Sequence, residues 1–182
     1  MNSNKGFTTI ELILAIAIAG IIMGAVGTFL NFNLKGFNAT KEVIDIQYEG
    51  QLAMNQLTAI AKESMGIEDI LDEAGNPSID VANVIVNPKK IIFHHKDKDP
   101  VVGITEYEIG YNPSSQELTC KVTKEGISQS YIMANRIEQL RVEPTNGIDF
   151  EYTKSIQIFL EMADGDAKMS TQSQVKFRNY EK

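Results

Sequence analysis

Between Leu12 and Leu30 the chain runs nineteen residues with one polar side chain, that of Thr28. At about 1.5 Å per residue, such a helix spans roughly 28 Å, close to the ~30 Å hydrocarbon core of a bilayer. A secretory signal also has a basic start and an apolar core, but a small-residue cleavage site follows that core. Here the run ends in Asn31-Phe32-Asn33-Leu34, which offers no such site. The only charges before residue 31 are Lys5 and Glu11, both on its N-terminal side. This pattern predicts cleavage in front of the apolar helix, with the helix kept on the mature protein. The positive charge of Lys5 holds that end in the cytoplasm.

Glu11 is the costly residue of this stretch. A carboxylate at the bilayer centre is unfavourable by about 2.5–3.5 kcal/mol on insertion scales, and less near an interface. Intramembrane acids usually face a partner and mark function; the plain alternative is a side chain snorkelling to headgroups. The carboxylate also meets the positive end of the helix dipole. Gly20 and Gly24 form a small-xxx-small pair with Gly27 a turn further on, a pattern that lets membrane helices approach closely.

Lys5-Gly6-Phe7-Thr8-Thr9-Ile10-Glu11-Leu12 resembles the cleavage and methylation site of type IV prepilins and type II secretion pseudopilins. The resemblance covers Lys5 to about Leu30. It implies that a prepilin peptidase cuts after Gly6 and methylates the new amine of Phe7. Glu11 would then be the fifth mature residue, one helical turn from that amine. It would pair either with its own Phe7 amine or with that of a neighbouring subunit, the second arrangement setting register during assembly. Many filament-forming relatives carry a proline where this chain has Thr28, so local melting of the helix would rest on the glycines alone.

The rest of the chain fits such a subunit. Val43, Ile46, Ala53, Leu57 and Ile60, with Gly50, form one stripe at helical spacing, and Phe37, Ile44, Tyr48 and Leu52 a second. The first is expected to pack on a sheet and the second against neighbouring subunits, unless both serve the domain core. Gly66 is the expected stop. Beyond Gly75-Asn76-Pro77-Ser78 the period shifts toward two. Strands are predicted at Val81–Val86, Lys90–His95, Ile104–Tyr111, Glu117–Thr123, Ser128–Met133, Ile137–Glu143, Ser155–Met162 and Met169–Arg178. Hairpin turns are predicted at 96–100, 112–115, 124–126 and 164–166. The fold class is α+β: a long N-terminal helix, membrane-spanning in its first half and amphipathic in its second, packed on an antiparallel sheet. The organisation is a leader at 1–6, a membrane or filament-core helix at 7–30, the amphipathic half at 31–66 and a β-rich head at 67–182. The body also resembles J-type pseudopilins and PilW-type minor pilins. That resemblance rests on Ile104-Thr105-Glu106-Tyr107-Glu108-Ile109, Leu118-Thr119-Cys120-Lys121-Val122, Ile137-Glu138-Gln139-Leu140-Arg141-Val142 and Val175-Lys176-Phe177-Arg178-Asn179.

Chemistry elsewhere is sparse. Residues 31–182 carry the whole net charge of −7 and no basic patch interleaved with aromatics, so the body is not expected to bind nucleic acid. Cys120 is the sole cysteine, which rules out an intramolecular disulfide; without a base nearby it is expected to be a small buried residue. His94 and His95 are neighbours on a predicted strand and point to opposite faces, so they do not chelate one metal. Asp164-Gly165-Asp166 lacks the further oxygens of a calcium loop and reads as a turn. Asp97 and Asp99, alternating with lysines, read as a solvated turn. No catalytic residue, metal site or cofactor is predicted.

The sequence therefore points to a structural subunit rather than an enzyme, a minor type IV pilin by first choice. The alternatives are a pseudopilin of a type II secretion or competence DNA-uptake system, and a single-span membrane-anchored binding or adhesion module. The partners implied are prepilin peptidase, other pilin or pseudopilin subunits through the N-terminal helix, the inner-membrane assembly platform, and lipid before assembly. The chain would cross the cytoplasmic membrane once, N-terminus inside and head outside, and then move to a pilus or pseudopilus at the cell surface.

Overall fold

The structure, a computed structural model, describes residues 8–96 and 104–180. Its first element is α1, Thr9–Glu63, and the chain divides into two compact units whose boundary, between Glu42 and Val43, falls inside that helix.

In the first unit the helix has no buried residue from Thr9 to Glu42. Ile13, Ile21, Met23, Phe29 and Phe32 are each more than half exposed. The helix is unbroken through Thr28, whose hydroxyl donates to the Gly24 carbonyl at 2.9 Å. Asn31 and Asn33 donate in the same way to the carbonyls of Gly27 and Phe29, at 3.2 and 2.8 Å. These i−4 bonds satisfy the polar side chains without breaking the ladder. The expectation that melting would need the glycines alone therefore resolves as an intact helix.

The second unit is the head. Beyond the helix come β1 (Ile67–Leu71), β2 (Ile85–Val86), β3 (Lys90–Lys96), β4 (Ile104–Asn112), β5 (Glu117–Lys124), β6 (Ile127–Ala134), β7 (Ile137–Pro144), β8 (Ser155–Asp164) and β9 (Ala167–Lys176). They form two antiparallel sheets, β1-β3-β4-β5-β6 and β2-β7-β8-β9, where the sequence suggested one. The break falls after β6, where Asn135-Arg136 turns the chain and Arg136 takes a positive φ of 61°.

The first predicted stripe is the core face of the helix: Ile46, Gly50, Ala53, Leu57 and Ile60 are buried, joined by Met54 and Ala61. They share one apolar core with Phe93, Ile109 and Leu118 from the five-stranded sheet and with Leu140, Ile156, Ile158, Leu160 and Met162 from the four-stranded one. Each such fully buried side chain contributes about 1.5–3 kcal/mol relative to exposure. At Gly50 the four-stranded sheet comes close, since a Cβ there would run into the Met169 sulfur and lie 2.8 Å from that of Met162. Of the second stripe, Ile44, Tyr48 and Leu52 are exposed on the head's helix. They do not serve the core.

Two local expectations are corrected. The helix stops at Glu63, three residues before Gly66, whose φ of +144° suits glycine and turns the chain into β1. The end is tied down by the C-terminal segment. Arg178 N donates to the Lys62 carbonyl at 2.9 Å, and the Asn179 side chain donates to that of Glu63 at 2.7 Å. These bonds satisfy carbonyls that a helix end leaves orphaned. Strand Val81–Val86 is reduced to Ile85–Val86, because Ile79-Asp80 turns, closed by the Val81 N–H bonding to the Ser78 carbonyl at 3.3 Å, and Asn87, at φ 48°, ends the segment. It remains an edge of the four-stranded sheet, and β1, which the sequence did not suggest, edges the five-stranded one.

Candidate processing and assembly site

Gly6 and Phe7, the expected cleavage and methylation positions, lie outside the described residues. The first described turn shows what surrounds them on the helical side. Thr8 stands before the helix, and its backbone N–H and its hydroxyl each donate to one Glu11 carboxylate oxygen at 2.8 Å. The Glu11 N–H returns a bond to the Thr8 hydroxyl at 3.4 Å. This is a reciprocal capping box, Thr8-x-x-Glu11, which satisfies orphan donors of the first turn. The spacing was readable in the sequence, where Glu11 drew attention only as a charge. The box gives the carboxylate a fixed position at the start of the span.

Among the described residues no cation pairs with Glu11, and the carboxylate's partners all lie within Thr8. Gly20, Gly24 and Gly27 would each place a Cβ in open space, with nothing within 4 Å. Their backbone is therefore open to close approach from outside. Among the described residues this is the one helix long and apolar enough to cross a membrane.

The described residues of the head show where the other candidate side chains lie. His94 and His95 do point apart: His94 lies 3.5 Å from Glu106, while His95 Nε2 lies 2.7 Å from the Ile60 carbonyl and its ring stacks on Tyr107 at 4.4 Å. Cys120 is buried, and burial pushes its thiol up. Asp164 ends β8 at a hairpin and pairs with Arg136 at 2.6 Å. Asp97 and Asp99 lie outside the described residues. Among those that are described, no group of three or more His, Cys, Asp or Glu side chains could hold a metal ion.

The polar cluster that matters is structural. Arg136 reaches both Asp164 and Glu49, and Glu49 also accepts from the Asn135 N–H at 2.6 Å. Three separate pieces of chain, the helix, the β6–β7 turn and the β8–β9 turn, meet on one guanidinium. Sequence reading missed it, since the partners stand 87 and 28 positions from Arg136.

Comparison with known proteins bears on the N-terminus. Residues 1–27 match the family described as the prokaryotic N-terminal methylation motif. The chain thus carries a type IV pilin-like prepilin signal, the mark of a processed pilin-type or pseudopilin-type subunit. That signal implies handling by prepilin peptidase and association with other pilins, and it points to a structural protein rather than an enzyme. No curated protein matches the chain.

Proposed function

We infer that the protein is a minor type IV pilin. Prepilin peptidase removes residues 1–6 after Gly6, and the new amine of Phe7 is methylated. Residues 7–30 hold the subunit in the cytoplasmic membrane before assembly, with the head of residues 67–182 and its supporting helix outside. The assembly platform then draws the subunit into a filament, or uses it to prime one, through the same helix.

The observation that carries this reading is the methylation motif at the start of a helix that buries nothing from Thr9 to Glu42. A segment so apolar is stable only in lipid or against other helices, and the open backbone at Gly20, Gly24 and Gly27 suits the second. Glu11 is the docking group. A buried carboxylate without a countercharge is strongly disfavoured. Pairing with the Phe7 amine of an adjacent subunit removes that cost only in the correct register. The Thr8 bonds hold the carboxylate ready at the helix start until the partner arrives.

Mass spectrometry of the N-terminus from cells tests the reading. The mature protein should begin at a methylated Phe7 and appear in sheared filaments. An intact Met1–Gly6 segment on the membrane-bound protein would contradict it.

A further inference from the structure

The two sheets have four outer edges, and three of them are blunted. On β1 the outer side is occupied by a bridge between Leu71 and Pro77 and by the Ser78 N–H bonding to Ile70 at 2.9 Å. That strand also carries Glu68 and Asp69. β2 is two residues long, and β9 bears Lys168 and Lys176 near its ends. Shortness, charge and cover are the usual devices that keep a sheet edge from pairing with another chain.

β6 has none of them. It is eight residues long, Ile-Ser-Gln-Ser-Tyr-Ile-Met-Ala, with no proline and no Asp, Glu, Lys, Arg or His. Among the described residues its only strand neighbour is β5. Ile127, Tyr131 and Ile132 are 69%, 45% and 54% exposed. Burial and the contact with Cys120 push the Tyr131 phenol up to about 12, so this side chain is also neutral at pH 7. The result is a free, uncharged edge on a chain of net charge −7.

That contrast selects the occupant. Two copies of an acidic chain repel wherever their charged faces meet. The uncharged edge is where they approach without apposing like charges, and a second copy brings an uncharged strand of equal length. We propose that β6 pairs antiparallel with β6 of a second copy of this chain, joining two five-stranded sheets across a two-fold axis. An axis normal to the sheet keeps corresponding faces together. With Ser130 opposite Ser130, Ile132 of each copy faces Ser128 of the other, and Tyr131 faces Gln129. The exposed isoleucine and tyrosine side chains are then covered, and the free N–H and C=O groups of both edges are paired. The contact lies within the head.

Cysteine cross-linking of the full-length protein in membranes tests this. A Ser130→Cys variant treated with a short bis-maleimide should give a cross-linked dimer, whereas the parent, whose Cys120 is buried, should not. Adding Ser128→Lys or Ile132→Lys should lower the dimer roughly tenfold, by placing a charge at the edge. Gln172→Lys on β9 should leave it unchanged. Ser128 is exposed, so its replacement removes no core packing. Absence of the dimer, a dimer that tolerates both edge lysines, or cross-linking only to a chain of another mass would overturn the proposal. N-terminal mass spectrometry of the same membranes reports maturation separately, so failure of this contact is distinguishable from failure of the pilin reading.

Discussion

The two units of this chain differ in what covers their apolar side chains. From Val43 onward, the helix and the nine strands among the described residues bury a shared apolar core, with Phe93, Ile156 and Leu160 almost inaccessible. From Thr9 to Glu42 the helix buries nothing, although it holds the most apolar sequence in the chain. Among the described residues the head supplies its own apolar partners, and the N-terminal segment has none. Hydrophobicity alone does not separate them. What separates them is whether the chain supplies its own partner.

Substitutions can sharpen or break that division. The largest effect is expected from Gly6→Val on the N-terminal side. Processing should be lost altogether, with uncleaved protein accumulating in membranes by mass spectrometry, while the head keeps its fold. On the head side, Leu160→Ala should cost about 2–5 kcal/mol by opening a cavity in the core. A truncated chain of residues 31–182, which keeps every strand, is the form in which to measure this by thermal or denaturant unfolding. That form is itself expected to melt cooperatively with a mixed helix and sheet signature. In the full-length protein the same variant should still be cut after Gly6.

Smaller effects come from the polar ties of the head. Arg136→Met removes the cation shared by Glu49 and Asp164 and should cost about 1–3 kcal/mol, because Glu49 is left mostly buried without its partner. Smallest is Asp72. Its carboxylate accepts from the Asn76 backbone at 2.8 Å and from the Asn76 side chain, and these bonds hold it below the usual aspartate range. A folded-state pKa below the unfolded one contributes stability at neutral pH that is lost as pH falls through the acidic range. Asp72→Ala should therefore melt slightly earlier than the parent at pH 7, and the gap should narrow as pH falls below the usual aspartate range. A gap that widens on acidification would reverse the assignment.

Legibility in the sequence followed the range of the interactions. The stripe Ile46–Ile60 and the alternation Ile156, Ile158, Leu160 were readable because helix and strand periods are local. The turns at 112–115, 124–126 and 164–166 were readable from Gly, Pro and Asn chemistry, and all three connect hairpins. β1 was not readable, since Glu68-Asp69 are poor strand formers and only pairing with β3 extends them. The division into two sheets, the Arg136 cluster and the clasp of Arg178 and Asn179 on the helix end depend on residues far apart in sequence. No local pattern encodes them. At the N-terminus the reverse held: the motif was plain, while the capping role of Thr8 lay in a spacing that the charge of Glu11 overshadowed.

We propose that a neighbouring subunit completes the N-terminal segment through Glu11. The direct measurement compares Glu11→Ala with the parent, in a strain lacking the wild-type protein, as amounts in sheared filaments and in membranes. Docking through Glu11 should leave cleavage after Gly6 and membrane levels normal but markedly reduce filament incorporation of the alanine variant, with Glu11→Asp intermediate because its carboxylate reaches one methylene less far. Equal incorporation of the alanine variant would contradict it, leaving Glu11 a helix cap at a membrane surface and nothing more.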